Sequence, residues 1–163
     1  MSRFVLCASS CGTIRISCNG GKITSVVLLR TRPGGAPDIT KSMRQAPDFQ
    51  TALDALKSYF VAGQNPFIPV RRFAFDGLTA FTRSVILGTR RVPMGRTVTY
   101  TEFARMLKLP PGSRRAVGGA LGRNPFPLFF PCHRIVGGNG LGGFSSGIDW
   151  KRRLLAHEGA SVK

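Results

Sequence analysis

Three short runs near the start of the chain, FVLCAS, GTIRISCN and KITSVVLLR, are rich in β-branched residues and are broken by Ser-Cys-Gly and Asn-Gly-Gly. This pattern predicts an antiparallel meander of three strands. TRPGGAPD then reads as a turn-rich connection. In DFQTALDALKSYFVAG, the residues Phe49, Leu53, Leu56 and Phe60 recur at helical spacing, which predicts a helix covering the sheet. NPFIPVRRFAF, with Pro66 and Pro69, reads as an extended linker.

From Asp76 the periodicity becomes helical, with Leu78, Phe81, Val85 and Ile86 on one stripe that ends near Val92-Pro93-Met94-Gly95. A domain boundary is therefore expected near residue 75, dividing the chain into 1–75 and 76–163. In TVTYTEFARMLKL, Thr99 and Glu102 have capping-box spacing ahead of apolar Phe103 and Leu107. Pro110-Pro111-Gly112 breaks that helix, and Ser113 is placed to cap a second one, RRAVGGALGRN. NPFPLFFPCHRIV carries prolines at 125, 127 and 131 and reads as extended, GGNGLGGFSSG as a loop, and DWKRRLLAHEG as a last helix capped by Asp149 and closed by Gly159.

The second helix of that pair has an unusual face. Val117, Ala120 and Leu121 form its inward stripe, whereas Arg115, Gly118, Gly119 and Gly122 share another side. Each mid-helix glycine costs about 1 kcal/mol relative to alanine, so a bare face needs a reason. Close packing of a neighbouring helix is one; a nucleic-acid groove, with the arginine at its leading end, is the other and suits the charge better.

Composition sharpens this choice. The chain has 163 residues, 42% of them hydrophobic, enough for one ordinary domain or two small ones. Its 24 Lys+Arg against 7 Asp+Glu give a net charge of +17, beyond what solubility requires, and a polyanion is the natural partner. Genome bias or heat adaptation is the competing explanation. Residues 77–163 carry 14 basic and 3 acidic residues, the first 76 carry 10 and 4, so the second half is the expected binding half. No apolar run approaches the roughly 18 residues of a membrane helix, and no membrane partner or secretory signal is expected. The compartment read from this is the cytoplasm, at the nucleoid in a prokaryote or in the nucleus of a eukaryote.

Cys7, Cys11 and Cys18 cluster near the start with neither CxxC nor a nearby histidine, so no metal or other cofactor is expected there, and two of them could pair only if they fell on facing strands. Gly138, Gly140 and Gly143 spell a formal GxGxxG, but no βαβ unit surrounds them, so a dinucleotide site is not expected. Cys132 stands apart, directly before His133. A free thiol is a few per cent ionised at neutral pH, so a nucleophilic cysteine needs a base or a positive neighbourhood. In an extended strand adjacent side chains point to opposite faces, so thiol and imidazole would meet only through a kink or a bridging water. Glu158 is a candidate to orient the base, because a carboxylate at a helix C-terminus opposes the dipole and needs something to hold it.

Three words of the sequence, RAVGGALGRNP at 115–125, PCHRIV at 131–136 and LLAHEG at 154–159, occur in an order and with separations that resemble the O6-alkylguanine-DNA alkyltransferases, single-turnover repair proteins. The resemblance covers the chain from about Phe81 onward, and the first half only by its strand-and-helix layout. It implies an N-terminal ribonuclease-H-like α/β domain with a small antiparallel sheet, and a C-terminal domain built on a winged helix-turn-helix that binds duplex DNA and everts the damaged guanine.

Carried over by matching words, Cys132 would accept the alkyl group, His133 would deprotonate it through a water, Glu158 would orient His133, and Asn124 would brace the active-site turn. Tyr100 would assist proton transfer and nucleotide rotation. Arg115 would fill the vacated stack, on a DNA-facing surface with Ala116, Gly118, Gly119, Gly122 and Arg123. The carbonyls of Cys132 and Ile135 and the Ser145 hydroxyl would read the guanine edge, with Phe144, Pro127 and Leu121 in the pocket wall. Phe144 stands where many relatives carry tyrosine, the PPGS turn is longer than in some, and the zinc ligands some members carry are not evident. No cofactor is implied; the partner is double-stranded DNA containing O6-alkylguanine, bound by a monomer, with cooperation on DNA left open. A lesion-binding module without transfer and a cysteine hydrolase or transferase of small substrates are the rival readings.

Overall fold

The computed structural model describes residues 3–29 and 49–161. The expected TRPGGAPD turn lies outside the described residues. The chain divides into two compact units, Met1–Phe75 and Asp76–Lys163.

In the first unit, β1 (Arg3–Ser9), β2 (Gly12–Asn19) and β3 (Lys22–Leu29) form an antiparallel meander in the order β1-β2-β3. Asn19 pairs with Lys22 across Gly20-Gly21, both at positive φ (+55° and +73°), as a two-residue hairpin with right-handed strand twist requires. Cys7 faces Ile14 whereas Cys18 faces Arg3, which puts the two thiols four positions apart along β2. That is roughly 13 Å, twice the reach of a disulfide, and none of the four cysteines forms a disulfide.

Helix α1 (Gln50–Phe60) buries Ala52, Leu53, Ala55, Leu56 and Tyr59. Tyr59 rather than the expected Phe60 is the enclosed aromatic, Phe60 being half-buried. The segment read as an extended linker instead belongs to this unit: it contains a 3-10 turn at Val70–Arg72, buries Ile68 and Phe73, and returns Phe73 to bridge Ile23 of β3. Pro69 itself is extended (φ −56°, ψ 140°); the turn follows it, and burial of Ile68 and Phe73 on either side anchors the segment.

In the second unit, α2 runs over Ala80–Gly88, four residues later than the periodicity predicted, because Thr79 caps it by accepting from Thr82 N–H. Its buried residues include Thr82, Val85 and Ile86, whereas Phe81 is exposed and Leu78 precedes the helix. A 3-10 turn (Thr89–Arg91) and the short strand β4 (Val98–Thr99) follow. Helix α3 (Tyr100–Met106) opens on a complete capping box between Thr99 and Glu102.

Helix α4 (Arg114–Gly122) starts without the expected side-chain cap. Ser113 sits in the helical region and its hydroxyl donates to the Pro110 carbonyl at 2.6 Å, closing the Pro-Pro-Gly turn instead. β5 (Ile135–Val136) pairs in parallel with β4. Helix α5 (Ile148–His157) begins after Gly147, so Asp149 lies within the first turn, where it pairs with Arg152 at 3.1 Å rather than capping. Gly159, at φ +66°, ends it as expected. The core of this unit gathers Val85, Val92, Phe103, Ala104, Val117, Ala120, Leu121 and Ile135 around Cys132. No helix among the described residues is long and apolar enough to cross a membrane.

Candidate active site around Cys132

The segment ahead of Cys132 is folded rather than extended. Phe130 N–H donates back to Phe126 at 3.0 Å, with Leu128 held at φ +75° between them, a left-handed conformation that costs a leucine on the order of 1 to 3 kcal/mol. Pro131, at φ −75° and ψ 68°, forms an inverse γ-turn in which Cys132 N–H donates to Phe130 O at 2.8 Å. Cys132–Arg134 then make one 3-10 turn. Prolines taken as signs of extension hide this turn in the sequence, whereas in the fold the proline fixes a bend.

The turn changes how the thiol and imidazole relate. Successive residues of a 3-10 helix point about 120° apart, so Cys132 and His133 diverge rather than oppose each other. Asn124, at the end of α4, locks the bend: its amide donates to Phe130 O at 2.8 Å and to the Cys132 Sγ at 3.2 Å, while its own oxygen accepts from Phe126 N–H at 3.0 Å. Arg90 adds a second brace, donating to Phe129 O at 2.9 Å with its guanidinium 4.0 Å from the centre of the Phe130 ring. Burial pushes the Cys132 thiol above its ordinary value, and the Asn124 hydrogen bond pulls the other way.

His133 is fully enclosed, and its Nε2 lies 2.7 Å from Oε1 of Glu158. Burial would raise the carboxyl of Glu158, but the bond to His133 and the fork of Arg134, at 2.9 and 3.0 Å, bring it down to about 2. An ionised carboxylate only accepts, so Nε2 carries the proton. Burial also lowers His133, keeping the ring neutral. Nδ1 is therefore the basic nitrogen, and it is buried with no hydrogen-bond partner in the protein. Gly95 N–H and the Val92 carbonyl, the latter accepting from Arg134 at 2.8 Å, complete the network. Glu158 is the C-cap residue of α5, and these partners supply the support that its unfavourable place at the dipole requires.

Tyr100, the first residue of α3, donates to Gly143 O at 3.4 Å, and burial raises its pKa, so it keeps its proton. The glycine-rich loop closes on this ring: a Cβ at Gly142 would sit 2.9 Å from Tyr100 Cε2 and 3.0 Å from Gly137 N, which accounts for glycine there without any nucleotide. Leu121 and Ile135 are buried beside Cys132, Phe144 packs against the same cluster half-buried, Pro127 is buried and Ser145 is exposed. The Cys132 carbonyl accepts from Ile135 N–H and the Ile135 carbonyl from Lys151 Nζ at 2.6 Å. Cys132 itself is 6% exposed. A cavity of about 610 Å³ is lined by Thr99, Glu102, Val136 and Gly138, and one of about 290 Å³ by α3 and the Pro110-Pro111-Gly112 turn; Cys132 lines neither.

Arg115, Ala116, Gly119, Gly122 and Arg123 are exposed on α4, with Gly118 half-buried. Among the described residues, and apart from the helix's own backbone, nothing lies within 4 Å of a Cβ built at Gly119 or Gly122, and at Gly118 the Tyr100 ring is at an ordinary 3.8 Å. Packing among the described residues therefore does not explain the bare face. Three polar residues of the site, Arg134, Lys151 and Arg90, escaped sequence reading. For Lys151 a signal existed, since it shares the apolar stripe of α5 with Leu154 and Leu155.

Comparison with known proteins places this geometry in a family. A family model described as the 6-O-methylguanine DNA methyltransferase DNA binding domain matches residues 80–160. The methylated-DNA–protein-cysteine methyltransferase of Methanothermobacter thermautotrophicus is 33% identical over 142 residues, which are 86% of this chain and 76% of that protein. The chain belongs to the methylated-DNA–protein-cysteine methyltransferase family. The family's member from Thermococcus kodakarensis is 44% identical over 91 residues, 55% of this chain; the chain spans about half the length of that relative (51%). The fold agrees over nearly the whole chain with solved methyltransferase structures. Mycobacterium tuberculosis O6-methylguanine methyltransferase gives a TM-score of 0.77 at 30% identity, covering 98% of this chain and 93% of that one. Mycobacterium tuberculosis OGT in complex with DNA gives 0.76 at 32% identity, covering 96% and 92%. The mixed α/β fold with its small antiparallel sheet is thus that of the methyltransferases.

Proposed function

We propose that this protein repairs DNA by direct reversal, moving the alkyl group of an O6-alkylguanine in duplex DNA onto its own Cys132. The observation that carries the reading is a pair of hydrogen-bonded arrangements on one 3-10 turn: the Cys132 thiol braced by Asn124, and at the next residue a neutral imidazole, His133, whose Nε2 is committed to the Glu158 carboxylate. The thiol proton passes through a water to His133 Nδ1. The sulfur electron pair then forms the S–C bond, the O6–C bond breaks with its pair left on guanine, and a proton returns to the base. A thioether has no hydrolytic way out, so each molecule acts once. No cofactor enters these steps.

Residues 76–163 form the DNA-binding and alkyl-transfer domain in this reading, with α3 and α4 as a winged helix-turn-helix, and residues 1–75 form the α/β domain. The face of Ala116, Gly118, Gly119, Gly122 and Arg123 lies against the groove, and Arg115 replaces the everted base, offsetting the few kcal/mol of unstacking. Entry of a purine requires Tyr100 and the loop at Gly142 and Gly143 to part, which the weak 3.4 Å bond between them permits. Tyr100 then donates to the leaving base, the Cys132 and Ile135 carbonyls and the Ser145 hydroxyl read its edge, and Phe144, Pro127 and Leu121 wall it. The protein acts as a monomer in the compartment that holds the DNA.

A repair assay on duplex carrying O6-methylguanine tests this. Cys132→Ala should bind the duplex and leave the lesion in place, and the unsubstituted protein should repair one lesion per molecule. Repair by the alanine variant, or continued turnover, would contradict it.

A further inference from the structure

Lys151 lies on the buried face of α5 with Trp150, Leu154 and Leu155, and is fully enclosed. An ammonium in such a place costs several kcal/mol unless charge or hydrogen bonds offset it. Its Nζ donates to the Ile135 carbonyl at 2.6 Å and the Gly143 carbonyl at 3.1 Å, and stands 5.9 Å from the centre of the Tyr100 ring. All three are dipolar or quadrupolar partners. Among the described residues it has no carboxylate partner, because Glu158 is taken up by His133 and Arg134.

The Ile135 whose carbonyl Lys151 holds closes the 3-10 turn through its N–H on the Cys132 carbonyl, and Cys132, Ile135 and Tyr100 pack in one cluster. The titratable groups whose charges couple there are Cys132 and His133 of that turn, with Tyr100 of α3 beside the ammonium. Tyr100 holds its proton and His133 is neutral or positive, which leaves Cys132 as the one neighbour able to supply a negative charge. We infer that Lys151 is the counter-ion of the Cys132 thiolate: fixed by the Ile135 and Gly143 carbonyls, its ammonium stabilises the sulfur anion formed on the way to alkyl transfer. The inference deepens the function proposed above and rests on Cys132 being the acceptor.

The coupling runs both ways. Burial brings Lys151 down to about 8 and a thiolate at 132 raises it, while burial raises Cys132 and the ammonium lowers it. Each charge favours the other, as linkage demands. Burial chiefly lowers His133, and the same ammonium acts in the same direction. Lys151 keeps its own protons throughout. Its two carbonyl bonds also tie β5 to the glycine loop.

The test is the pH dependence of Cys132 carboxamidomethylation by iodoacetamide, followed on the Cys132 peptide, in the unsubstituted protein, Lys151→Met and Lys151→Arg. This reaction needs neither DNA nor guanine, so its result is separate from the repair assay. Lys151→Met should raise the midpoint by about one pH unit or more, a roughly tenfold slower reaction at neutral pH, with the plateau rate above the midpoint retained. Lys151→Arg should keep the midpoint near that of the unsubstituted protein. An unmoved midpoint in folded Lys151→Met would overturn the inference and leave Lys151 a structural tie.

Should the methionine variant fail to fold, the unsubstituted protein provides a second readout of the same coupling. With ¹³Cε-labelled lysine, Lys151 should titrate at higher pH in the protein with a free Cys132 than after S-methylation. Identical titration in the two forms would overturn the inference.

Discussion

The side-chain amide of Asn124 stands 3.2 Å from the Sγ of Cys132 and 2.8 Å from the carbonyl of Phe130, so one residue at the end of α4 fixes both the nucleophile and the bend that presents it. Replacing Asn124 with alanine strands the buried Phe126 N–H and weakens the turn, and should cost about 2 to 3 kcal/mol of stability. It should also raise the Cys132 pKa and slow its alkylation. Thermal melting and the rate of Cys132 modification check the two effects.

Glu158→Gln separates charge from shape. Arg134 would keep its packing and lose its counter-charge in a buried site, a loss of about 3 to 5 kcal/mol. The amide can also donate to His133, which releases the constraint that places the proton on Nε2. A fall in melting temperature together with slower transfer in single-turnover kinetics is expected; unchanged transfer would show that the tautomer is set elsewhere.

Acid should act in two stages. His133 is held neutral by burial, so below its ordinary value of 6.5 the unfolded chain binds a proton that the native state refuses, and stability falls as pH drops through that range. Glu158 is held near 2 against an ordinary 4.5, so its contribution is complete above 4.5 and is lost as pH falls toward 2, on the order of 3 kcal/mol. Melting temperature measured from pH 7 to pH 2 should decline in both windows. A flat profile between 7 and 4 would contradict the neutral, buried imidazole.

The bare face of α4 yields a prediction in which stability and function part. Gly119 has open space around a Cβ, so Gly119→Ala should stabilise the helix by up to about 1 kcal/mol. The same methyl, forced between backbone and DNA, should weaken duplex binding on the order of tenfold. Melting and fluorescence anisotropy on one preparation read both. Unchanged DNA affinity would move the interface off this face.

These residues also show what the sequence could and could not tell. The meander, the Thr99 and Glu102 capping box and the glycine face were legible because each depends on residues a few positions apart. The pairing of His133 with Glu158 was legible as a suspicion, since a carboxylate at a helix end needs support. Arg134 was not, because a basic residue in a chain of net charge +17 reads as solvated surface and only the fold brings it under α5; the same charge masked Lys151, whose place on the apolar stripe of α5 was the one signal of its burial. Ser113 and Asp149 failed as caps for a local reason: a nearer carbonyl and a nearer arginine took their side chains.

The most direct test is the mass of the Cys132 peptide after the protein has been incubated with duplex DNA carrying a single O6-methylguanine. One added methyl group is expected on Cys132, none on Cys7, Cys11 or Cys18, and an equal amount of guanine restored in the DNA. An unmodified Cys132 beside repaired DNA would rule out direct transfer to this sulfur.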